Sequence, residues 1–415
     1  MTGSPVAASV SVMSVDQYHL PAGPDPHLLT GPDAAGALAV ALDAAGGRLL
    51  SWRATQVDHQ PGRGSTVGYR AQVGWRDGSA TAERLVATTA RAPDGALVVD
   101  DGVDRVAVWR FPHDPYLPAL PAAIDPVAVG RLLHEYGYGG GPARLRVRAY
   151  RPGRRAVIEA ATDRGRLFLK VVRPRKVTGL HERHRLLTDA GVPAPPSLGF
   201  TPDGLLVLQA LPGRTLRQAL MRGGPAPSAR PLLSLLDRLP AQLAHGPPRA
   251  SWLDKAPHYA AVVAAALPER AAQATDLATQ LAADRPPEPV SVVHGDLYES
   301  QLLVAGDRIT GLLDVDTAGA GHRVDDLACL LGHLSVLAQI DRRHAPVINR
   351  LGAAWLSGFE PHVDPAGLRR RTAAVVLSLA TGPHRVQEPG WPAATRARLD
   401  LAAAWLASAH TMTAP

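Results

Sequence analysis

An α+β fold is predicted for the 415-residue sequence, with strands crowded into its first half and helices into its second. Three observations predict it. Strand-like runs bounded by Gly, Asp and Pro turns fill residues 31–120. Strands alternate with one helix between Ala143 and Leu220. Beyond Leu220 apolar residues recur at helical spacing, and only two short strands are set among them.

In chain order, residues 1–30 are rich in Ser, Pro and Gly without sustained periodicity and read as a flexible lead-in. The runs RLLSWRATQV, TVGYRAQVGW, RLVATTARA, ALVV and RVAVWRF are broken by the turns PGRG, RDGS and APDG, and make 31–130 a small β-rich N-terminal cap domain. A Pro-rich crossing from Pro112 to Pro126, a short helix (PVAVGRLLHEYG) and the linker GYGGGP lead onward. No strand precedes GYGGGP and no Lys-Ser/Thr follows it, so it does not read as a phosphate loop. Residues 131–215 form a second β-rich lobe, with strands RLRVRAY, AVIEAA, RLFLKVV and GLLVLQ and the helix HERHRLLTDAG. His181 and His184 in that helix lack the HExxH spacing and a third ligand, and read as a solvated or salt-bridged face. Residues 216–415 form a large helical lobe, interrupted only by strands near Val290–Val293 and Gly311–Leu313. A PGR turn followed by a strand occurs twice, in Gln60–Val73 and Arg151–Ala160. Only the second copy is followed by a lysine, and chance similarity accounts for the echo.

With 46% hydrophobic residues the chain can bury substantial cores. The first 25 residues show no basic segment before an apolar one, and no apolar run nears the roughly 20 residues that span a bilayer. The expectation is a cytoplasmic protein with no membrane partner. The single cysteine, Cys329, excludes an intramolecular disulfide and a cysteine-based zinc site, and reads as a small core residue. The formal charge of +7 is concentrated between Arg144 and Arg185, where fourteen Lys/Arg face three acids. Such a field suits a triphosphate or a solvated arginine face. Without aromatic interleaving or a nucleic-acid motif, no nucleic-acid partner is expected.

Chemistry concentrates in VVHGDLYESQLLV (Val292–Val304) and GLLDVDTAG (Gly311–Gly319). Asp296 follows an apolar strand and should stand on a loop held by a rigid element, where a carboxylate can approach a hydroxyl. Gln301 offers a neutral oxygen from the same loop. Asp314 ends the next strand, and Asp316 shares its side if that strand continues. Hard cations such as Mg2+ favour this all-oxygen set. His294 reads as a support for the loop, and one of Asp325 and Asp326 as a structural acid capping the helix that begins there.

In this order and spacing, the two stretches resemble the catalytic loop and metal motif of the aminoglycoside phosphotransferase and choline kinase superfamily, which has the protein-kinase fold. The resemblance covers roughly residues 143–410. It implies a bilobal protein-kinase-like fold behind the cap, with ATP and Mg2+ as cofactors and a small-molecule hydroxyl as acceptor. Lys170 in LFLKVVRP would hold the α- and β-phosphates, and Glu182 would pair with it from the following helix. Backbone groups from Gln209 to Leu211 would meet adenine, and the loop YRPGRR, with Arg151 and Gly153, would cover the phosphates. Asp296 would be the catalytic carboxylate, with Gln301 and Asp314 as metal ligands. The superfamily usually has Asn at the place of Gln301. Gln there, together with a cap domain, is similar to the maltokinases and the actinobacterial glucosamine kinases, which points to a sugar or amino sugar such as glucosamine or maltose. Asp316 and, from the polar island GPHRVQEPGWP, Arg385, Gln387, Glu388 and Trp391 are the expected acceptor-side residues. Two other readings stand beside this one, an aminoglycoside phosphotransferase and a catalytically inactive kinase-like binding protein. The helical lobe is not especially acidic, which disfavours the polycationic aminoglycosides.

Overall fold

The structure, a computed structural model, describes residues 27–100, 104–283 and 288–413. Most of the expected flexible lead-in lies outside the described residues. Its last part does not fit that expectation, since Leu29 is buried in the cap and its carbonyl accepts the Tyr69 hydroxyl at 2.6 Å.

The cap opens with a helix, α1 (Ala34–Asp43), that the strand reading omitted. Its signal was present in Ala34, Leu38 and Leu42, spaced one helical turn apart and all buried. The strands β1 (Gly47–Gln60), β2 (Gly64–Trp75), β3 (Ala80–Thr88), β4 (Leu97–Asp100) and β5 (Arg105–Arg110) form an antiparallel sheet in the order β1-β2-β3-β5-β4. Val67, Tyr69, Ala71 and Val73 alternate along β2 and present one face to α1, so the period-2 pattern closes a core of its own.

The next lobe contains α2 (Leu120–Ala123), α3 (Pro126–Glu135), β6 (Arg144–Arg151), β7 (Arg155–Thr162), β8 (Gly165–Val172), α4 (Pro174–Asp189), β9 (Ser197–Phe200) and β10 (Leu205–Gln209). Asp125 starts α3 by accepting the N–H groups of Val127 and Ala128, with Pro126 at the first helical position. Leu117, Leu120, Val129 and Leu133 pack with Ile158 and Leu169 beneath this second sheet. The expected cap range of 31–130 therefore overruns its sheet, which ends at Arg110.

The second sheet has the order β6-β7-β8-β10-β9, the same as the cap's. In both, the PGR turn joins the first two strands, and Gly62 and Gly153 occupy the left-handed region there at φ 71 and 64. Aligned turn on turn, the Val157–Lys170 pair corresponds to Thr66–Thr88. The echo in the sequence thus marks a shared topology. The cap has a buried threonine hydroxyl, bonded to Thr66 at 2.9 Å, where the second sheet has an ammonium.

The helical lobe contains β11 (Arg214–Thr215), α5 (Leu216–Leu220), α6 (Ala229–Asp237), α7 (Trp252–Ala266), α8 (Ala271–Ala282), β12 (Ser291–Val293), β13 (Leu302–Ala305), β14 (Arg308–Leu312), β15 (Gly319–Gly321), α9 (Arg323–Ile340), α10 (Ala345–Phe359), α11 (Pro365–Leu379), α12 (Gly382–Arg385) and α13 (Trp391–Thr413). Among the described residues, five short strands, not two, are set between the helices. β13 was hidden inside the HGD stretch, and β11 and β15 are too short for periodicity to register. These strands make two small sheets, β11-β13-β14 and β12-β15, whose connecting loops carry the conspicuous acids. Trp355 and Phe359 anchor the main helical core, the Trp355 indole donating to the Pro227 carbonyl at 2.8 Å. Among the described residues no helix is long and apolar enough to cross a membrane.

Candidate functional site

The loop after β12 is built before it is functional. Asp326, fully buried on α9, accepts the backbone N–H groups of His294 at 2.6 Å and Gly295 at 2.7 Å. It is a structural acid, but it holds this loop instead of capping α9 as expected, since the start of that helix has no side-chain cap. The His294 ring donates from Nε2 to the Leu313 carbonyl at 2.8 Å, leaving Nδ1 to accept the Asp296 N–H at 3.4 Å. Both ring nitrogens are thereby committed, as expected for a supporting residue. Gly295 adopts φ 82, and a Cβ there would lie 2.7 Å from the Thr317 carbonyl, so the position needs glycine. The result is a rigid turn that presents Asp296 half-buried. Burial raises the Asp296 carboxyl pKa, and the nearby Asp314 charge adds to this, against His294 and Arg151, which lower it.

Across the cleft, β8 delivers Lys170, which is almost wholly buried. Its ammonium donates to Asp314 Oδ1 at 2.8 Å and also bonds to Asp316. Asp314 has left-handed backbone geometry, φ 53 and ψ 49, which ends β14 abruptly. The strand therefore does not continue to Asp316 as anticipated, yet the kink swings Asp316 back onto the same lysine. Arg155, at the start of β7, grips Asp314 through both guanidinium nitrogens at 2.9 Å and reaches Asp316 at 3.2 Å. Burial alone would raise the Asp314 carboxyl pKa, but Lys170 and Arg155 outweigh it and hold the group well below the usual range. The Gln301 amide lies beside the same carboxylate, with Nε2 3.4 Å from Oδ2.

Next to these charges is an apolar slot of about 290 Å³, walled by Ala149, Val157, Phe168, Leu208 and Leu313 with Lys170 and Asp314 at its inner end. Gln209 ends β10 next to Leu208 of the slot wall, its N–H donating to the Pro196 carbonyl at 2.9 Å. Leu211 lies against Gly311, where a Cβ would come within 3.0 Å of Leu211 Cδ1. A larger cavity of about 680 Å³ opens beyond Asp316, lined by Arg151, Arg154, Arg155, Arg173, Lys176 and Arg183. Much of the basic segment thus surrounds one space.

Residues 146–363, more than half of the chain, match the phosphotransferase enzyme family. The chain belongs to that family. It is a small-molecule kinase with the family's protein-kinase-like fold. Among solved structures, a thermostable mutant of aminoglycoside phosphotransferase APH(4)-Ia is 17% identical over 65% of this chain and 96% of its own, with a TM-score of 0.46. A macrolide 2'-phosphotransferase from Brachybacterium faecium is 20% identical over 66% and 97%, with a TM-score of 0.39. A choline/ethanolamine kinase family protein from Mesorhizobium loti is 19% identical over 65% and 89%, with a TM-score of 0.41. Among curated proteins none matches the sequence.

In this phosphotransferase several expected residues stand elsewhere. Glu182 does not pair with Lys170. It is half-exposed and bonds to Arg185 at 3.5 Å. The buried stripe of α4 runs through Val177, Leu180, His184 and Leu187, which turns Glu182 outward. His184, expected on a solvated face, is buried behind the slot and donates from Nδ1 to the Pro195 carbonyl at 2.7 Å. Its burial lowers the imidazole pKa to about 4. Asp316, expected on the acceptor side, stands with Lys170 and Arg155. Arg385 reaches a narrow niche beside Arg151, Arg154 and the cap residues Gln56, Asp58 and Thr66. Gln387, at φ 50, turns its amide back onto the His384 carbonyl, and Trp391 packs edge-on against His384 at 4.6 Å. Glu388 donates its N–H to the Pro383 carbonyl. The polar island is thus a short helix and a closed turn, and of its four named residues Arg385 is the one that lines the niche.

Sequence reasoning missed Arg155 and Asp114. Asp114 sits in the crossing after the cap, nearly inaccessible, and its Oδ2 accepts the Gly153 N–H at 2.7 Å and the Tyr150 hydroxyl at 2.9 Å. The N–H of Gly153, in the loop expected to cover the phosphates, is therefore already committed. Arg173 donates to the Gly153 carbonyl at 2.8 Å while stacking over Tyr116. Arg154 adds an ion pair to Asp58 of the cap at 2.7 Å. The cap and its connector thus fix the curvature of the turn between β6 and β7, the loop expected to cover the phosphates. Asp114→Ala is expected to release that loop and raise the KM for nucleotide by about 10-fold with kcat less affected, the equivalent of about 1.4 kcal/mol. Steady-state kinetics with varied nucleotide check this, and an unchanged KM would deny the clasp a role.

Proposed function

We propose that this kinase transfers the γ-phosphate of ATP, with Mg2+, to a hydroxyl of a small metabolite, with a sugar or amino sugar as the leading acceptor. The observation that carries the reading is the meeting of Lys170, Arg155, Asp314 and Asp316 at the inner end of an apolar slot, beside the loop that presents Asp296. Phosphoryl transfer asks the protein mainly to position groups and to neutralise charge. The apolar slot suits adenine. Lys170 and Arg155, both able to exchange a carboxylate for phosphate oxygens, suit the triphosphate. Asp296 stands on a backbone fixed by Asp326 and would orient the acceptor hydroxyl or take its proton.

The oxygens of Asp314 and Gln301 are of the kind a hard divalent cation accepts, and the two side chains are already in contact. Bound there, Mg2+ would neutralise charge on the phosphates. Gln301→Asn is expected to keep Mg2+-dependent turnover within about 10-fold, because the ligating oxygen survives the loss of one methylene. Complete loss of turnover would give Gln301 another role.

The choice of a sugar acceptor rests on Gln301 and on the presence of the cap. It is favoured over an aminoglycoside by the arginines Arg151, Arg154 and Arg385 lining the niche between cap and helical lobe, which would repel a polycation. ATP consumption measured against a panel of sugars, amino sugars, aminoglycosides and amino alcohols tests the reading. Turnover confined to the aminoglycosides would overturn the acceptor class, and failure to bind nucleotide in the presence of Mg2+ would overturn the whole assignment.

A further inference from the structure

Two side chains next to Asp296 have no part in phosphoryl transfer as derived above. Cys329 and His333 lie one turn apart on the same face of α9. One ligand atom from each, together with an Asp296 carboxylate oxygen, forms a set of three lying within 4.8 Å of one another. We propose that Asp296, Cys329 and His333 form a binding site for Zn2+, and that its occupancy switches the kinase off by capturing the carboxylate that would orient the acceptor hydroxyl. The inhibitory half of this inference rests on the role given to Asp296 under Proposed function.

The geometry supports a site that needs little rearrangement. Asp296 and α9 are already one rigid piece, because Asp326, one turn before Cys329, holds the loop by the hydrogen bonds to His294 and Gly295. The His333 ring is fixed by stacking on Tyr298, with centroids 4.2 Å apart and planes inclined by 18°. A thiolate, an imidazole and a carboxylate make a borderline-soft donor set, which favours Zn2+ over Mg2+ and would leave a fourth position for water. His333 and Asp296 are partly accessible while Cys329 is sealed, so the ion would enter from the acceptor side. Burial favours the uncharged forms of both the His333 imidazole and the Cys329 thiol, so the ring offers a lone pair while the thiol has to give up its proton to the metal. Binding forms a Zn–S bond and releases the thiol proton to solvent, and one thiolate plus one carboxylate balance the dication. A sequence with one cysteine excluded a cysteine-based zinc site. The folded chain supplies the missing ligands from the loop and the adjacent helical turn.

The test uses the full-length protein with Co2+ as a spectroscopic substitute and Zn2+ as an inhibitor in excess Mg2+. A thiolate-to-cobalt charge-transfer band is expected for the wild type and is expected to vanish in Cys329→Ala. That variant should keep wild-type turnover without Zn2+ and need at least 10-fold more Zn2+ for half inhibition. Cys329→Ser serves the same purpose if the alanine variant does not fold. Equal inhibition of wild type and variant, with no charge-transfer band, would overturn the proposal by placing Zn2+ elsewhere, for example at Asp314. A band without inhibition would overturn the switch. A band in a protein that turns over no acceptor would retain the metal site and overturn the role of Asp296.

Discussion

Asp326→Ala is expected to abolish turnover and to cost about 3–5 kcal/mol of stability, the largest effect of any single substitution considered. The carboxylate is buried and is the acceptor for two backbone N–H groups, those of His294 and Gly295. Alanine leaves both donors unsatisfied inside the protein, where each costs about 1–3 kcal/mol. The loss would propagate, because the same two bonds set the direction in which Asp296 leaves the loop. Asp326→Asn keeps one acceptor oxygen and should fall between wild type and alanine. Denaturant unfolding and turnover, measured on the same samples, check the prediction. A variant with a native unfolding midpoint would show that the loop is held by other contacts.

Asp314→Ala is expected to lower turnover by about a thousand-fold or more, since it removes a proposed metal ligand and the carboxylate around which Lys170 and Arg155 are arranged. Its effect on stability should be smaller, about 1–3 kcal/mol, because both cations keep Asp316 as a partner. The pH dependence has a definite sign. A carboxyl held below its ordinary value contributes stability that is complete above that value, near 4, and is lost as pH falls through the lower folded one. The stability gap between wild type and Asp314→Ala should therefore be constant around neutral pH and shrink on acidification below about pH 4. Urea unfolding at a series of pH values reads this directly, and a gap that widens in acid would contradict the proposed ion pairing. Asp325, whose carboxyl pKa burial raises to about 6 against the pull of Arg371, has the opposite sign and should not be confused with it.

The sequence by itself determined the two-part β-rich beginning, the helical remainder, and the positions along the chain of the HGD loop, the Asp314 strand end and the lysine strand; that the lysine faces the acids was implied only by the family resemblance. These elements and positions follow from periods of two and of 3.6 residues and from turn residues, all readable locally. It also made His294 a supporting residue and one acid of the Asp325–Asp326 pair structural. Only the tertiary structure decided which charges meet. Lys170 and Asp314 are joined across 144 residues and Arg155 and Asp314 across 159, while Glu182, placed by analogy with a helix-borne glutamate, turns outward because the buried stripe of α4 runs through His184. The clasp of Asp114 on the turn between β6 and β7, the left-handed kink that returns Asp316 to Lys170, and the meeting of Cys329 and His333 with Asp296 were likewise illegible along the chain. Local patterns fix the direction of a side chain relative to its own helix or strand. Which element it then faces depends on how the cores pack, and that information is spread over residues far apart in sequence.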